Sequence, residues 1–285
     1  MKKIILFNFL LLTALTTNAR QTDFPKLTGP YLGQKPPGIT PEVFAPGIVS
    51  TPNSREFSGT FSTDGKEYYF FRFADKPVMM ECKENKEGWS APQPAFFNTE
   101  HINYEPHIAY DGKIFFFCSS RPYPGYKEGR IPTQVWMMKR NGNKWDSPVH
   151  LRMGMAPTTT EEGLIYINFD IFKLTNDSLT LIDKVRYRHD VKEVDQLPSF
   201  HSCISKDESY ILFDCKDILY VSFRGKDGTW GKPINLCEKL NVNADIMLPT
   251  LSPDNKYMFF CYKKDIYWVS TEIIEELRPK EWKNN

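Results

Sequence analysis

Short aromatic and β-branched runs alternate with polar turns along this chain, on a regular beat. Four turns share one pattern: Phe61-Ser-Thr-Asp-Gly-Lys66, Ala109-Tyr-Asp-Gly-Lys113, Ile204-Ser-Lys-Asp-Glu208 and Leu251-Ser-Pro-Asp-Asn-Lys256. An apolar run follows each: Tyr68 to Phe71, Ile114 to Phe117, Tyr210 to Phe213 and Tyr257 to Phe260. Runs of this length and composition predict strands. Asp-Gly turns predict antiparallel neighbours, because Gly accepts positive φ and Asp bonds its own backbone. The turn aspartates Asp64, Asp111, Asp207 and Asp254 are separated by 47, 96 and 47 residues. The middle gap is two periods, and a degenerate copy fills it: Thr160-Glu-Glu-Gly163, then Leu164 to Ile167.

Two further landmarks keep the same phase. One is a short strand: Val78 to Met80, Gln134 to Met137, Asp170 to Phe172, Asp217 to Tyr220 and Asp265 to Trp268. The other is Trp-x-x-Pro after a polar turn, at Trp89 to Pro92, Trp145 to Pro148 and Trp230 to Pro233. Each unit reads as strand, Asp turn, strand, loop, strand, turn, and a fourth strand bearing Trp-x-x-Pro. Four antiparallel strands in every 40 to 50 residues make the blade of a β-propeller. The expected fold is all-β, one five-bladed propeller over residues 40–270. The fifth unit stops after its third strand. Pro41 to Pro46 near the N-terminus resembles the missing fourth strand, with Phe44 near the Trp position, so the N-terminal strand is expected to close the last blade. Closure removes two exposed sheet edges.

The Ser-Pro-Asp-Gly-type turn, Asp-Ile-Tyr and Trp-x-x-Pro together resemble the TolB-type, WD-like propeller repeats of exported bacterial proteins. Leu251-Ser-Pro-Asp254 is the best copy, and the third copy departs most, with neither Ser-x-Asp nor Trp. The resemblance implies a propeller, with six blades as the alternative count. It points to the cell envelope and leaves the activity open.

The flanks read differently. Lys2 and Lys3, the apolar run Ile4 to Leu15 and the small-x-small Thr17-Asn-Ala19 form a signal-peptide pattern, with cleavage expected after Ala19. Residues 1–19 are therefore expected to be a leader, and the mature chain to be periplasmic or secreted, without a transmembrane segment. Prolines mark residues 20–39 as an extended linker; residues 271–285 are expected to be a tail, with a helical turn or two over Glu272 to Leu277. Thirty-six Lys+Arg against 35 Asp+Glu exclude an electrostatically driven nucleic-acid binder. Six cysteines show no Cys-x-x-Cys and no Cys/His cluster, so no zinc site is expected. Cys118, Cys215 and Cys261 fall at equivalent places after their turns and read as buried thiols; Cys203 with Cys215 is the one disulfide the spacing suggests. No Gly-x-x-x-x-Gly-Lys loop and no Gly-x-Ser-x-Gly elbow occur, and no cofactor or metal is expected.

Two functional readings follow. The first is a monomeric, non-enzymatic module that binds an envelope protein or glycan through one propeller face. Connections between second and third strands share an end of the ring. They carry Arg72, Arg121, Tyr123, Tyr126, Arg130, Tyr262, Lys263 and Lys264, residue types enriched at interface hot spots. The second is a glycan hydrolase. The inner strands carry Glu56, Glu105 and Asp245 with His107 and His201, and paired carboxylates are the working parts of glycoside hydrolysis.

Overall fold

The computed structural model describes residues 24–188 and 201–280; the leader expected over residues 1–19 lies outside them. Five antiparallel sheets stand in a ring and make a five-bladed β-propeller. Blade 1 holds Arg55–Phe61, Glu67–Phe73, Pro77–Asn85 and Gln93–Pro94. Blade 2 holds Asn103–Ile108, Ile114–Ser119, Gln134–Asn141 and Val149–Met153, and blade 3 holds Thr158–Thr159, Ile165–Ile167, Asp170–Thr175 and Ser178–Lys184. Blade 4 holds Ser202–Ile204, Tyr210–Cys215, Ile218–Phe223 and Ile234–Asn235. Blade 5 holds Ile246–Leu251, Tyr257–Tyr262 and Asp265–Ser270, and takes its outer strand, Glu42–Val43, from the N-terminus.

The repeated turn has a specific chemistry. The hydroxyls of Ser62, Ser205 and Ser252 donate to Asp64, Asp207 and Asp254 at 2.6, 2.8 and 2.7 Å. Each hydroxyl also accepts the N–H that opens the next strand, from Glu67, Tyr210 and Tyr257 at 2.9, 3.0 and 3.0 Å. The aspartates accept the N–H two residues on. In the degenerate blade Thr160 takes the place of Ser and accepts the Leu164 N–H at 3.1 Å. The turn therefore survives the loss of its motif.

Trp-x-x-Pro does not lie on the outer strand. Gly88–Trp89 and Lys144–Trp145 fold back on the ends of the third strands as tight hairpins. The outer strand starts only after the proline, which lacks the N–H a ladder needs. Phe44 is likewise not at the Trp position. Its N–H donates to Ile266 O as Ala95 does to Met79 O and Leu236 to Leu219 O, at 2.8, 2.8 and 2.9 Å. It follows the outer strand instead. In blade 3 the outer strand has no Trp signal; Asn176 and Asp177, both at positive φ, turn the chain directly into Ser178–Lys184.

Apolar side chains fill each seam between blades. Phe44, Phe61, Tyr68, Phe259 and Trp268 pack between blades 5 and 1, and Tyr69, Met79, Phe115 and Phe117 between blades 1 and 2. Comparable clusters occupy the other three seams. One blade cannot cover both of its faces, so burial in the seams couples each blade to the next. All six cysteines are buried and free, including Cys203 and Cys215.

Residues 24–39 run without strand pairing, broken by a 3-10 turn at Tyr31–Gly33, and are docked on the ring rather than free of it. Trp89 donates its backbone N–H to Leu27 O and its indole N–H to Gly29 O, both at 2.8 Å. Gly88 admits this contact: a Cβ there would sit 2.3 Å from Leu27 O. Tyr31 packs edge-on against Phe61 and Tyr257. At the other end the last strand runs into a single helical turn, Glu272–Glu275.

Candidate functional site

The inner strands are bulged, and the bulges set the axis. Register shifts interrupt the pairing at Ser58, at Glu105 and at Leu248. Ser58, Glu105, Ala156 and Leu248 stand at φ 38°, 52°, 47° and 56°. His201 precedes Ser202, whose pairing with Phe213 puts the histidine at the same register position in blade 4. A bulge turns its side chain out of the pleat and leaves a backbone N–H outside the ladder. That N–H needs an acceptor.

Two carboxylates supply acceptors across blade boundaries. Glu105 Oε2 accepts the Ala156 N–H at 2.7 Å, and Asp214 Oδ2 accepts the Leu248 N–H at 2.8 Å. His201 lies between the two. Its Nδ1 donates to Asp214 Oδ2 at 2.7 Å, and its Nε2 is 3.4 Å from Glu105 Oε1. The imidazole thus links blades 2 and 4. Cys118 donates to Glu105 Oε2 at 3.1 Å. The side chains of Glu105 and Asp214 are 7 % and 5 % exposed, so neither carboxylate is open to solvent.

Charge follows from these partners. Burial disfavours the imidazolium of His201, but the hydrogen bonds to Asp214 and Glu105 and their charges outweigh it, and the pKa rises to about 10. Burial alone would raise Glu105; the bond and charge from His201, the Ala156 N–H and the Cys118 thiol hold it below the ordinary carboxylate range. His107 behaves oppositely. Its Nε2 meets the Thr159 hydroxyl at 2.9 Å with no carboxylate beside it, and desolvation takes its pKa down to about 3. Some exposure remains at His107, but the surrounding protein dominates its solvation. Its bond to Thr159 belongs to a series of inter-blade contacts. Thr60 accepts from Ile108 N–H, and Thr158 from Ile204 N–H, both at 3.3 Å.

Glu56 and Asp245 have other surroundings. Glu56 is fully buried, pairs with Arg72 at 2.9 Å and accepts from Ser54 and from Thr51. Asp245 is exposed just ahead of the blade 5 inner strand. No hydrogen bond or ion pair among the described residues joins either acid to Glu105, His107 or His201. Asp214 is the residue that sequence reasoning missed. It stands seven residues after its turn aspartate, the offset of Cys118 and Cys261, and Cys215 lies one residue beyond.

The loop-face residues divide by exposure. Arg72 bolts the N-terminal segment down, donating to Ile48 O and Val49 O at 3.0 and 2.8 Å besides its pair with Glu56. Arg121 lies over the rings of Phe117 and Trp136 and donates to Ser119 and Asn103. Tyr123 stacks on His150 at 5.3 Å and faces Tyr126 at 5.7 Å, and the Tyr126 hydroxyl donates to Gly129 O. Arg130 and Lys263 are exposed, Lys263 lying over the half-buried ring of Tyr262. At the opposite end, between the Asp turns, a groove of about 370 Å³ is lined by Tyr31, Phe61, Asp64, Lys206 and Asp254. There the Tyr110 hydroxyl donates to Asn255 at 2.8 Å, joining blades 2 and 5.

No protein-family model matches the chain, and no curated protein matches it. Solved structures do. A TolB-like protein from Agrobacterium tumefaciens is 14 % identical at a TM-score of 0.43, covering 75 % of this chain and 72 % of its own. A gluconolactonase from Xanthomonas campestris is 9 % identical at 0.43, covering 76 % and 86 %. A protein of unknown function from Desulfotomaculum acetoxidans is 11 % identical at 0.40; it covers 73 % of this chain, which spans 62 % of that protein's length. The strand pairing of the five sheets defines the fold here, independently of these likenesses.

Proposed function

We propose that the chain is an exported propeller that binds a protein or glycan of the cell envelope and does not transform it. One observation carries this reading. The axial carboxylates and histidines are all engaged in holding blades together: Glu105 and Asp214 cap bulge N–H groups, His201 links them, and His107 meets Thr159. A general acid or base needs a proton it can exchange with a substrate, within hydrogen-bond reach of it. Binding then falls to the loop face, where Tyr126, Arg130, Tyr262 and Lys263 retain exposed surface on a rigid scaffold. The TolB-type look of the turns and the N-terminal leader pattern favour the periplasm or exterior as the place of action.

Capture from a cell-envelope extract tests this. Wild type is expected to retain a partner that Tyr126→Ala/Arg130→Ala/Lys263→Ala loses, with both proteins melting alike. Equal recovery by both proteins would remove the loop face from the account.

A further inference from the structure

Six partly buried arginines lie over aromatic rings among the described residues, and five have a carboxylate partner. Arg72 pairs with Glu56, Arg140 with Glu67, Arg152 with Asp170, Arg224 with Glu208 and Arg278 with Glu275, at 2.9, 2.9, 3.6, 3.1 and 2.7 Å. Arg121 has none. Its Nε and one terminal nitrogen donate to Ser119 and Asn103 at 3.2 and 3.0 Å, which fixes the guanidinium plane. The other terminal nitrogen has no acceptor among the described residues. Glu100, the acid whose field reaches it, is exposed and pairs with His101 at 3.3 Å. Burial accordingly pulls the Arg121 pKa below its ordinary value. Beneath it Trp136 has a buried indole N–H with no acceptor among the described residues. A half-buried cation with spare donors is completed best by an anion.

We propose that Arg121 anchors a carboxylate carried on a sugar ring, so that the ligand is a uronic-acid glycan. This rests on the reading of the chain as a binding module and names its ligand class. The guanidinium fork matches a carboxylate in two parallel hydrogen bonds. On the same loop the rings of Tyr123 and Tyr126, in contact with each other, offer an apolar wall to the C–H face of the sugar. Exposed Lys127 and Arg130 on the same loop, against the single Glu128, favour a polyanionic chain. An acidic peptide would meet the cation but leave the tyrosine wall unused.

The test is a titration of the full chain, followed by calorimetry and by the indole N–H resonances. The ligands are trigalacturonate, neutral galactotriose and hexaglutamate. Trigalacturonate is expected to bind and to shift the Trp136 indole resonance, with the other two weaker by about tenfold or more. Arg121→Lys keeps the charge but loses the fork, and should weaken trigalacturonate by about tenfold. Tyr126→Ala, at the loop surface, should weaken it as well. No binding of trigalacturonate, undiminished binding by Arg121→Lys, or hexaglutamate binding as tightly would overturn the proposal. Galactotriose binding as tightly would overturn the carboxylate assignment and leave the binding-module reading standing. Cleavage of trigalacturonate would instead remove that reading.

Discussion

His201 and His107 show how one residue type takes opposite charge states within one ring. His201 has a carboxylate at each nitrogen and stays cationic to about pH 10; His107 has a hydroxyl and stays neutral down to about pH 3. Their linkage to stability therefore has opposite signs. The folded pKa of His201 is raised, so its contribution is complete below about pH 6.5 and is lost as pH rises toward 10. Over that window the native state holds a proton the unfolded chain has released, a slope of about −1.4 kcal/mol per pH unit. The folded pKa of His107 is depressed, so its contribution is present above about pH 6.5 and is lost as pH falls toward 3. Urea unfolding across pH should show both limbs. His201→Gln should flatten the alkaline limb. An unchanged alkaline slope in that variant would remove the imidazolium from the account. Sequence reading found both histidines but not their states, because Asp214, the partner that decides between them, is on a second strand.

The elements were legible wherever local chemistry repeats. Ser-x-Asp turns build the hairpins of blades 1, 4 and 5 through a hydroxyl that donates to the aspartate and accepts from the next strand, so there the motif itself marks the turn. Trp-x-x-Pro was read one element too early, since the sequence shows a turn and a proline but not which side of the proline enters the ladder. The bulges were not legible: Ser58, Glu105, Ala156 and Leu248 have no residue type in common, and their positive φ arises from sheet geometry. Arg72 looked like a surface cation because its partner, Glu56, lies sixteen residues away in sequence. The closing strand was legible and is strongly anchored. Phe44 is fully buried and meets Phe61, Tyr68, Phe259 and Trp268 edge-on at 6.0, 5.2, 5.1 and 5.2 Å. Phe44→Ala should lower stability by about 3–5 kcal/mol, measured by chemical denaturation. A loss below about 1 kcal/mol would mean that this seam can refill.

At the scale of the molecule, the ring closes twice: at its edge, where Glu42–Val43 completes blade 5, and on its axis, where blades 2 and 4 meet through His201. Hydrophobic seams hold neighbours, while the His201–Glu105 contact joins blades 2 and 4, which are not neighbours. On the proposed binding reading, the loops are the surface that meets the ligand. The most direct measurement is mass spectrometry of envelope polysaccharides after incubation with the purified chain, reading retention on the protein and new reducing ends together. The account predicts retained polysaccharide with no new reducing ends. New reducing ends that appear with wild type and vanish with a folded Glu105→Gln variant would contradict it, and would make the axial carboxylate catalytic.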